Sequence, residues 1–388
     1  MPKLKVMHLI WSMKAGGAQQ IVLNYLRDFK DDSDIELKLY VFTGPSDSKY
    51  DTEIRECGYN VEYLNNPSTR VKIPYIKRWF QRPISKKAWS EAIQRFQPDI
   101  VHVHISALLS NTLESIINAN IPIRFDTLHS DPRRYKGKEK KVICKAFNEE
   151  RFIPVCVTKE QTELAKKCYG ITNFEVLHNG IDIEGIKSRI ISRTDARNLL
   201  GLPNDAFIIA GVGRLNKIKN FSLLIDAFVL VLKEKPNAML IIAGDGSEKN
   251  TLCKQVEKHG VQDKVKFLGN QSNIIPVYCA SDVLGVTSIS ESASLTLIEA
   301  QICGLRCVIS SGVPCESIIS SFVKQMPSDA EVDKWAKAFL DEDFVGSPIC
   351  KESDYEVHEL SKKLKDIYFK YWNEYKKYGG ENFIYDKK

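Results

Sequence analysis

At 388 residues the chain is long enough for two domains, and a hydrophobic content of 43% with 27% charged residues excludes disordered, collagenous and disulfide-scaffold classes. No apolar run approaches the roughly 20 residues that cross a bilayer. The formal charge of +6 is uneven: residues 1–180 hold 28 Lys and Arg against 21 Asp and Glu, and the remainder 27 against 28. The first half therefore carries the basic surface and is expected to meet an anionic partner.

The start, MPKLKVMHLIWSMKAGG, is basic and then apolar. Its apolar run is short and leads into Gly-Gly, so it reads as a first buried strand rather than a leader. Ten cysteines form no CxxC pair and no Cys/His cluster of zinc spacing, which predicts a reduced, cytoplasmic chain. Short apolar runs then alternate with amphipathic ones. Strands are predicted at 6–11, 36–42, 61–64, 99–105, 123–128, 152–158 and 174–177, with helices at 20–29, 83–96, 108–119 and 160–168. That alternation predicts an α/β domain with a parallel sheet and helices on both faces.

Four features of this half carry chemistry. Gly16 and Gly17 follow the first strand, where paired glycines let a backbone approach a ligand closely. The segment is not GxGxxG, so a dinucleotide fingerprint is absent. Residues 70–87 hold seven basic residues, no acid, and Tyr75, Trp79 and Phe80. This composition suits an anionic membrane surface or a lipid-linked phosphate, and equally a plain basic helix and loop. No RNA- or DNA-binding motif accompanies it, so no nucleic-acid partner is expected. His102 and His104 share one face of a strand, but a metal would need a third ligand and none is evident, so a core or cleft-lining role is expected. His129 follows the next strand in FDTLHSDP, at a carboxyl end where α/β folds place functional groups. Arg133–Lys145 reads as a solvated basic loop and helix start.

The turn phrase LHNGID, residues 177–182, closes the first domain, with a hinge expected near 180–200. The alternation then restarts, with strands predicted at 207–213, 239–243, 264–268, 283–288 and 307–310 and helices at 221–234 and 248–259. The first of these strands ends in GRLNKIKN, which places Arg214 and Lys219 beside a helix start as an electropositive phosphate pocket. Residues 286–311, VTSISESASLTLIEAQICGLRCVISS, read as strand, loop, helix, Gly stop, strand. Ser294 is the predicted helix N-cap, Gly304 the stop, and Glu291 and Glu299 bracket the turn. Cys303 and Cys307 are expected as small core residues. The tail, 355–378, is aromatic-rich and helical, followed by a charged end from about Gly379.

Glu291, seven intervening residues and Glu299, with the flanking LIEAQ, resemble the signature of retaining glycosyltransferases of family four (glycosyl transferases group 1), whose fold is the two-domain GT-B arrangement. LHNGID, the Gly-Arg-Leu with Lys219-Asn220, Gly244-Asp245-Gly246 and Phe267-Leu268-Gly269 match further family phrases in the same order. The resemblance implies two Rossmann-like doubly wound domains facing a cleft. An acceptor domain would span 1–185, a donor domain 186–354, and the C-terminal helix would cross back to the first. It implies that Glu291 contacts donor-sugar hydroxyls, Glu299 the ribose, Arg214 and Lys219 the diphosphate, and amides near Ser294, Leu295 and Thr296 the same phosphates. Gly16 and Gly17 would pack against those phosphates on closure, Asp245 and Gly269 would line the donor site, Gly269 near the base, and His129 would lie near the sugar 6-hydroxyl. The family usually has Gly after the first Glu, where this chain has Ser292.

The implied activity is transfer of a sugar from a nucleotide-diphospho-sugar to a glycan or lipid-linked glycan, as in bacterial exopolysaccharide, capsule or lipopolysaccharide assembly. A cytoplasmic location, with peripheral contact to the membrane's inner face, goes with it. No cofactor and no metal are expected, because Asp31, Asp32 and Asp34 sit in a polar linker and no Asp-x-Asp motif follows a strand. Two other readings stand beside it: a nucleotide-sugar 2-epimerase of similar fold, and a non-catalytic nucleotide-sugar-binding partner subunit.

Overall fold

The computed structural model describes residues 2–14, 16–46, 48–64 and 77–378, with side chains omitted over 77–85. Most of the basic stretch 70–87, Tyr75 included, and the charged end from Gly379 lie outside the described residues or their side chains. The chain divides into two compact units, Met1–Gly180 with Val357–Lys388, and Ile181–Glu356.

The first unit is built on seven strands: β1 (Leu4–Ile10), β2 (Ile35–Val41), β3 (Val61–Tyr63), β4 (Ile100–His104), β5 (Ile123–Leu128), β6 (Phe152–Cys156) and β7 (Glu175–Val176). They pair in the order β3-β2-β1-β4-β5-β6-β7, every pair parallel. The second unit has six: β8 (Ile208–Val212), β9 (Met239–Ala243), β10 (Val265–Gly269), β11 (Val283–Val286), β12 (Arg306–Ser310) and β13 (Val323–Met326), in the order β10-β9-β8-β11-β12-β13, again all parallel. Both are doubly wound sheets, the architecture of the GT-B fold class. In each the strand order reverses once, between β1 and β4 and between β8 and β11, and that reversal opens a crevice at the strand carboxyl ends.

Burial on both sheet faces explains the near-continuous apolar strands. Along β8, Ile208 and Ala210 enter one core with Leu297 and Ile298, while Ile209 joins Phe228, Leu240 and Trp335 on the other face. In the first unit one face of the central strands is apolar, with Met7, Leu9, Val101 and Val103 packed on Trp89 and Ile116. The opposite face is different: it presents His8, His102, His104, Phe125 and Thr127. The C-terminal helix Val357–Tyr378, one helix rather than two, covers this face through Tyr368 and Tyr371. Its polar edge is tied down by Lys365, whose ammonium reaches Asp32 and Asp34 at 2.7 Å each, and by Ser361, whose hydroxyl donates to Asp28 at 2.5 Å.

Several local expectations shift. The first helix starts at Gly17, directly at the second glycine. The 133–145 segment is a short 3-10 turn followed by a full helix, Gly137–Asn148, whose apolar positions Ile143, Ala146 and Phe147 are buried. Strand β13 was unread because VKQM alternates and carries two polar side chains. Tyr355 stays with the second unit, buried in its core with its hydroxyl donating to the Glu316 carbonyl at 2.6 Å. Cys307 is fully buried and Cys303 packs beside the same core, as small core residues.

Candidate functional site

In the second unit the loops after β8, β9 and β10 are held together by backbone. Gly213 N–H donates to the Ala243 carbonyl at 2.9 Å, Gly244 N–H to Gly269 at 2.7 Å, and Leu215 N–H to Asp245 at 3.0 Å. Gly244 and the nearby Gly246 are required by space. A Cβ on Gly244 would lie 1.9 Å from the Gly213 carbonyl oxygen, and one on Gly246 would lie 2.2 Å from that of Leu215. The close stacking leaves Arg214 and Asp245 exposed at the strand ends.

Lys219 closes a short 3-10 turn, capped by the Asn216 side chain, and its ammonium reaches across to the loop after β11. Its Nζ is 2.5 Å from Oε1 of Glu291, which also accepts from the Ser288 hydroxyl at 2.7 Å. The two loops are stitched elsewhere as well: Thr287 Oγ1 donates to the Asn220 carbonyl at 2.9 Å, and Ile289 N–H to Ile218 at 2.7 Å. Glu291 N–H donates to Gly312 at 2.9 Å, which anchors the loop to the end of β12. Eight residues on, Glu299 accepts from the Tyr278 hydroxyl at 2.9 Å. Burial, followed by the Glu299 carboxylate, pushes the Tyr278 phenol well above its ordinary range. The helix between the carboxylates runs Leu295–Ile302, with half-buried Leu295 and Thr296 at its amino end and Gly304 in the left-handed conformation past its stop.

Ser294 occupies the N-cap position, yet its hydroxyl makes no cap hydrogen bond and is buried without a partner. Its backbone conformation, φ −107° and ψ 87°, departs from the usual cap geometry, and its own N–H donates to the Ser317 hydroxyl at 3.3 Å. The expected side-chain cap is thus absent, which leaves the first-turn amides of this helix uncapped by that serine.

In the first unit, Gly16 and Gly17 follow the carboxyl end of β1, Gly16 in extended backbone as the helix N-cap. His129 follows β5. The expectation that His102 and His104 lack a third partner is overturned: His8, in register with His102 across β1 and β4, brings three buried imidazoles together, with nitrogens within 4.8 Å of one another. That is a geometry a metal could use, yet both nitrogens of all three rings are hydrogen-bonded. His102 Nε2 meets Thr127 Oγ1 at 2.7 Å and its Nδ1 meets the Tyr368 hydroxyl at 2.6 Å. The same hydroxyl meets His8 Nε2 at 2.8 Å, and His8 Nδ1 meets His104 Nε2 at 3.2 Å. His104 Nδ1 then meets His129 Nε2 at 3.0 Å.

Burial lowers all four imidazoles, His8 to about 3 and His129 to about 4, so they are neutral at physiological pH. Directly after His104, Ile105 takes φ 77°, a conformation that a β-branched residue adopts only under strain and that marks this strand end as over-determined by its surroundings. Asp126, on the other face of β5, is fully buried, and burial raises its carboxyl well above the ordinary range, opposed in part by the Ser106 hydroxyl.

Sequence reasoning found Glu291 and Lys219 but not that they pair, and it missed His8, Thr127 and Tyr368. The signal for His8 was available: a polar residue inside an otherwise apolar first strand. Tyr368 lies 239 residues beyond His129, and no local pattern links them.

Comparison with known proteins identifies the family and the fold. The family model described as Glycosyltransferase Family 4 matches residues 15–184, and that described as Glycosyl transferases group 1 matches 192–341. EpsF of Bacillus subtilis (strain 168), a protein assigned as a glycosyltransferase, is 25% identical over 323 residues, covering 80% of this chain and 79% of that one. An Escherichia coli UDP-Gal:alpha-D-GlcNAc-diphosphoundecaprenol alpha-1,3-galactosyltransferase is 28% identical over 274 residues, covering 66% and 70%. Among solved structures, Anabaena HepE in complex with UDP and glucose superposes with a TM-score of 0.76 at 19% identity, covering 94% of this chain and 99% of that one, a likeness of fold.

Proposed function

From the premise that the chain belongs to the glycosyl transferases group 1 family, is a glycosyltransferase and has the GT-B fold, we propose that it transfers a sugar from a nucleotide-diphospho-sugar, with retention, to a glycan or lipid-linked glycan of a cell-surface polysaccharide. The observation that carries this is the Lys219–Glu291 pair at the reversal of the second sheet, 2.5 Å apart, beside a helix amino end whose serine does not cap it. The second unit would bind the donor. Departure of a diphosphate needs positive charge, and Arg214, Lys219 and the first-turn amides supply it as fixed electrostatics. Glu291, held by Lys219 and Ser288, would position the sugar hydroxyls, and Glu299 the ribose.

Retention fits a mechanism without a protein nucleophile, in which the leaving phosphate oxygen takes the acceptor proton. His129, neutral and lowered by burial, is the group of the first unit assigned to the sugar. The E. coli relative acts on a diphosphoundecaprenol-linked sugar by its name, and a lipid-linked acceptor of that kind would suit the basic first half and a peripheral contact with anionic membrane. No helix among the described residues is long and apolar enough to cross a membrane.

The test is a product assay across nucleotide-diphospho-sugars with glycan and lipid-linked acceptors. Transfer with retained anomeric configuration is expected. Turnover of donor without acceptor, giving an epimerised sugar nucleotide, would replace this reading by the 2-epimerase. Nucleotide binding with no turnover would make the chain a binding partner.

A further inference from the structure

The contacts among four histidines, one tyrosine and one threonine form a single unbranched line: Thr127, His102, Tyr368, His8, His104, His129. Each neutral imidazole offers one donor and one acceptor, and so does a phenol that has one hydrogen and is contacted on both sides. A third arrangement, in which the Tyr368 oxygen accepts from both His102 and His8, strands the phenol hydrogen and leaves His129 Nδ1 an unpaired lone pair; with the phenol hydrogen bonded, the line can be protonated in only two ways. Either every hydrogen bond points from Thr127 towards His129, or every one points back.

The two directions are not equivalent. In the forward direction Thr127 donates to His102 Nε2, each later group donates to the next, and His129 Nδ1 carries a hydrogen. Only that N–H is left without a protein partner; the atom is buried and unpaired in the structure. In the reverse direction His102 Nε2 donates to Thr127. The threonine hydroxyl hydrogen then has no acceptor, and His129 Nδ1 is an unpaired lone pair. The forward direction leaves one orphaned group and the reverse leaves two, and orphaned buried polar groups are costly. When a ligand meets His129 Nδ1 the difference persists, because the forward line is then fully satisfied and the reverse line still strands the Thr127 hydrogen.

We propose that the Thr127 hydroxyl, acting through His102, Tyr368, His8 and His104, fixes His129 as the Nδ1–H tautomer, so that it offers its ligand a hydrogen-bond donor and cannot serve as a general base. Resting on the glycosyltransferase reading, the ligand atom is an oxygen lone pair of the bound sugar. Thr127 and Tyr368 are positioning residues for His129, and Tyr368 ties that role to the C-terminal helix. Burial, which keeps His8 and His129 neutral, keeps the line from being broken by an imidazolium.

The prediction can be read in the ligand-free protein. The full chain would be labelled with 15N-histidine and long-range 1H–15N spectra recorded at pH 7.5, with the His129 ring located by its loss in His129→Asn. A protonated Nδ1 with a bare Nε2 is expected. A protonated Nε2, an averaged ring or an imidazolium in the unsubstituted protein would overturn the proposal. In Thr127→Val each direction leaves one orphaned donor and one orphaned acceptor, so the His129 ring should become a mixture of tautomers, and Thr127→Ser should restore the single form. Tyr368→Phe cuts the line and should have the same effect as Thr127→Val. A single tautomer persisting in both variants would also overturn it. In the transfer assay, Thr127→Val should lower kcat by about tenfold with little change in KM, and Thr127→Ser should recover it. Absence of transfer with any donor would count against the glycosyltransferase reading alone, since the ring spectra stand without it.

Discussion

The ammonium of Lys219 and the carboxylate of Glu291 lie 2.5 Å apart, at side-chain exposures of 21% and 10%, and join the loops that follow β8 and β11. Those are the two strands at which the second sheet reverses its order, so the pair bridges the crevice where doubly wound folds bind ligands. Ser288 adds a second point of attachment to the same carboxylate oxygen. A carboxylate held this way is pre-oriented, and its value to a transition state depends on that orientation more than on its charge.

Glu291→Gln keeps the shape and the Ser288 contact but loses the charge. It is expected to lower turnover by about 100-fold or more with nucleotide affinity within a few-fold. Glu299→Ala should do the opposite, weakening nucleotide binding by about tenfold with a smaller effect on turnover at saturation. Steady-state kinetics together with a nucleotide titration separate the two. A Glu291→Gln enzyme with near-normal turnover would show that the sugar is positioned by other groups.

The first unit is expected to be acid-labile. In the unfolded chain the four imidazoles titrate near their ordinary 6.5, whereas folded His8 and His129 are lowered to about 3 and about 4, and His102 and His104 are lowered well below 6.5, all chiefly by burial. The unfolded chain therefore takes up protons that the folded unit refuses. Stability is intact above pH 6.5 and falls as pH drops from there towards 4. Each histidine contributes a slope of about 1.4 kcal/mol per pH unit, so four approach about 5 kcal/mol per unit. Thermal unfolding between pH 7.5 and 5 measures this, and a flat profile for the first unit would contradict it.

Asp126 titrates with the opposite sign. Its carboxyl is raised by burial, so the folded unit holds a proton that the unfolded chain releases near 3.8. Stability is lost as pH rises from about 3.8 through the raised folded value. Asp126→Asn removes the ionisable group in place. It should raise the unfolding temperature at pH 8 by about 2–4 °C per kcal/mol recovered, and by less near pH 4. Equal shifts at both pH values would show that Asp126 is not held protonated.

Transfer should survive a chelator. The Asp-x-Asp pair of the first unit, Asp32 and Asp34, is engaged by Lys365 of the C-terminal helix, and in that of the second, Asp341 and Asp343, Asp341 is paired with Lys324. Arg214 and Lys219 can instead supply fixed positive charge to the departing diphosphate. Arg214→Ala combined with Lys219→Ala should abolish transfer while full activity persists in EDTA. Activity lost to EDTA and restored by magnesium or manganese would place the catalytic charge on an ion.

Peripheral membrane contact is expected through residues 70–87. The protein should sediment with anionic vesicles at low salt, release at high salt, and bind less after charge reversal at Lys77 and Arg78. Equal sedimentation with neutral vesicles would remove the electrostatic contact.

By itself the sequence determined the two sheets, since buried parallel strands need apolar runs and their connections need helical periodicity, and both are local patterns. It also marked Glu291, Glu299, Arg214, Lys219 and His129, because loops after strands are short and keep their residues close together along the chain. What it left open were relationships at long separation. Lys219 and Glu291 pair across 72 residues, Thr127 meets His102 only through strand register, and Tyr368 reaches His8 across 360. Even Ser294, whose position was legible, makes no cap, its backbone at φ −107° and ψ 87° departing from the usual cap geometry. Which hydroxyl faces which imidazole follows from how the strands align and where the last helix lies, and only the packed chain decides that.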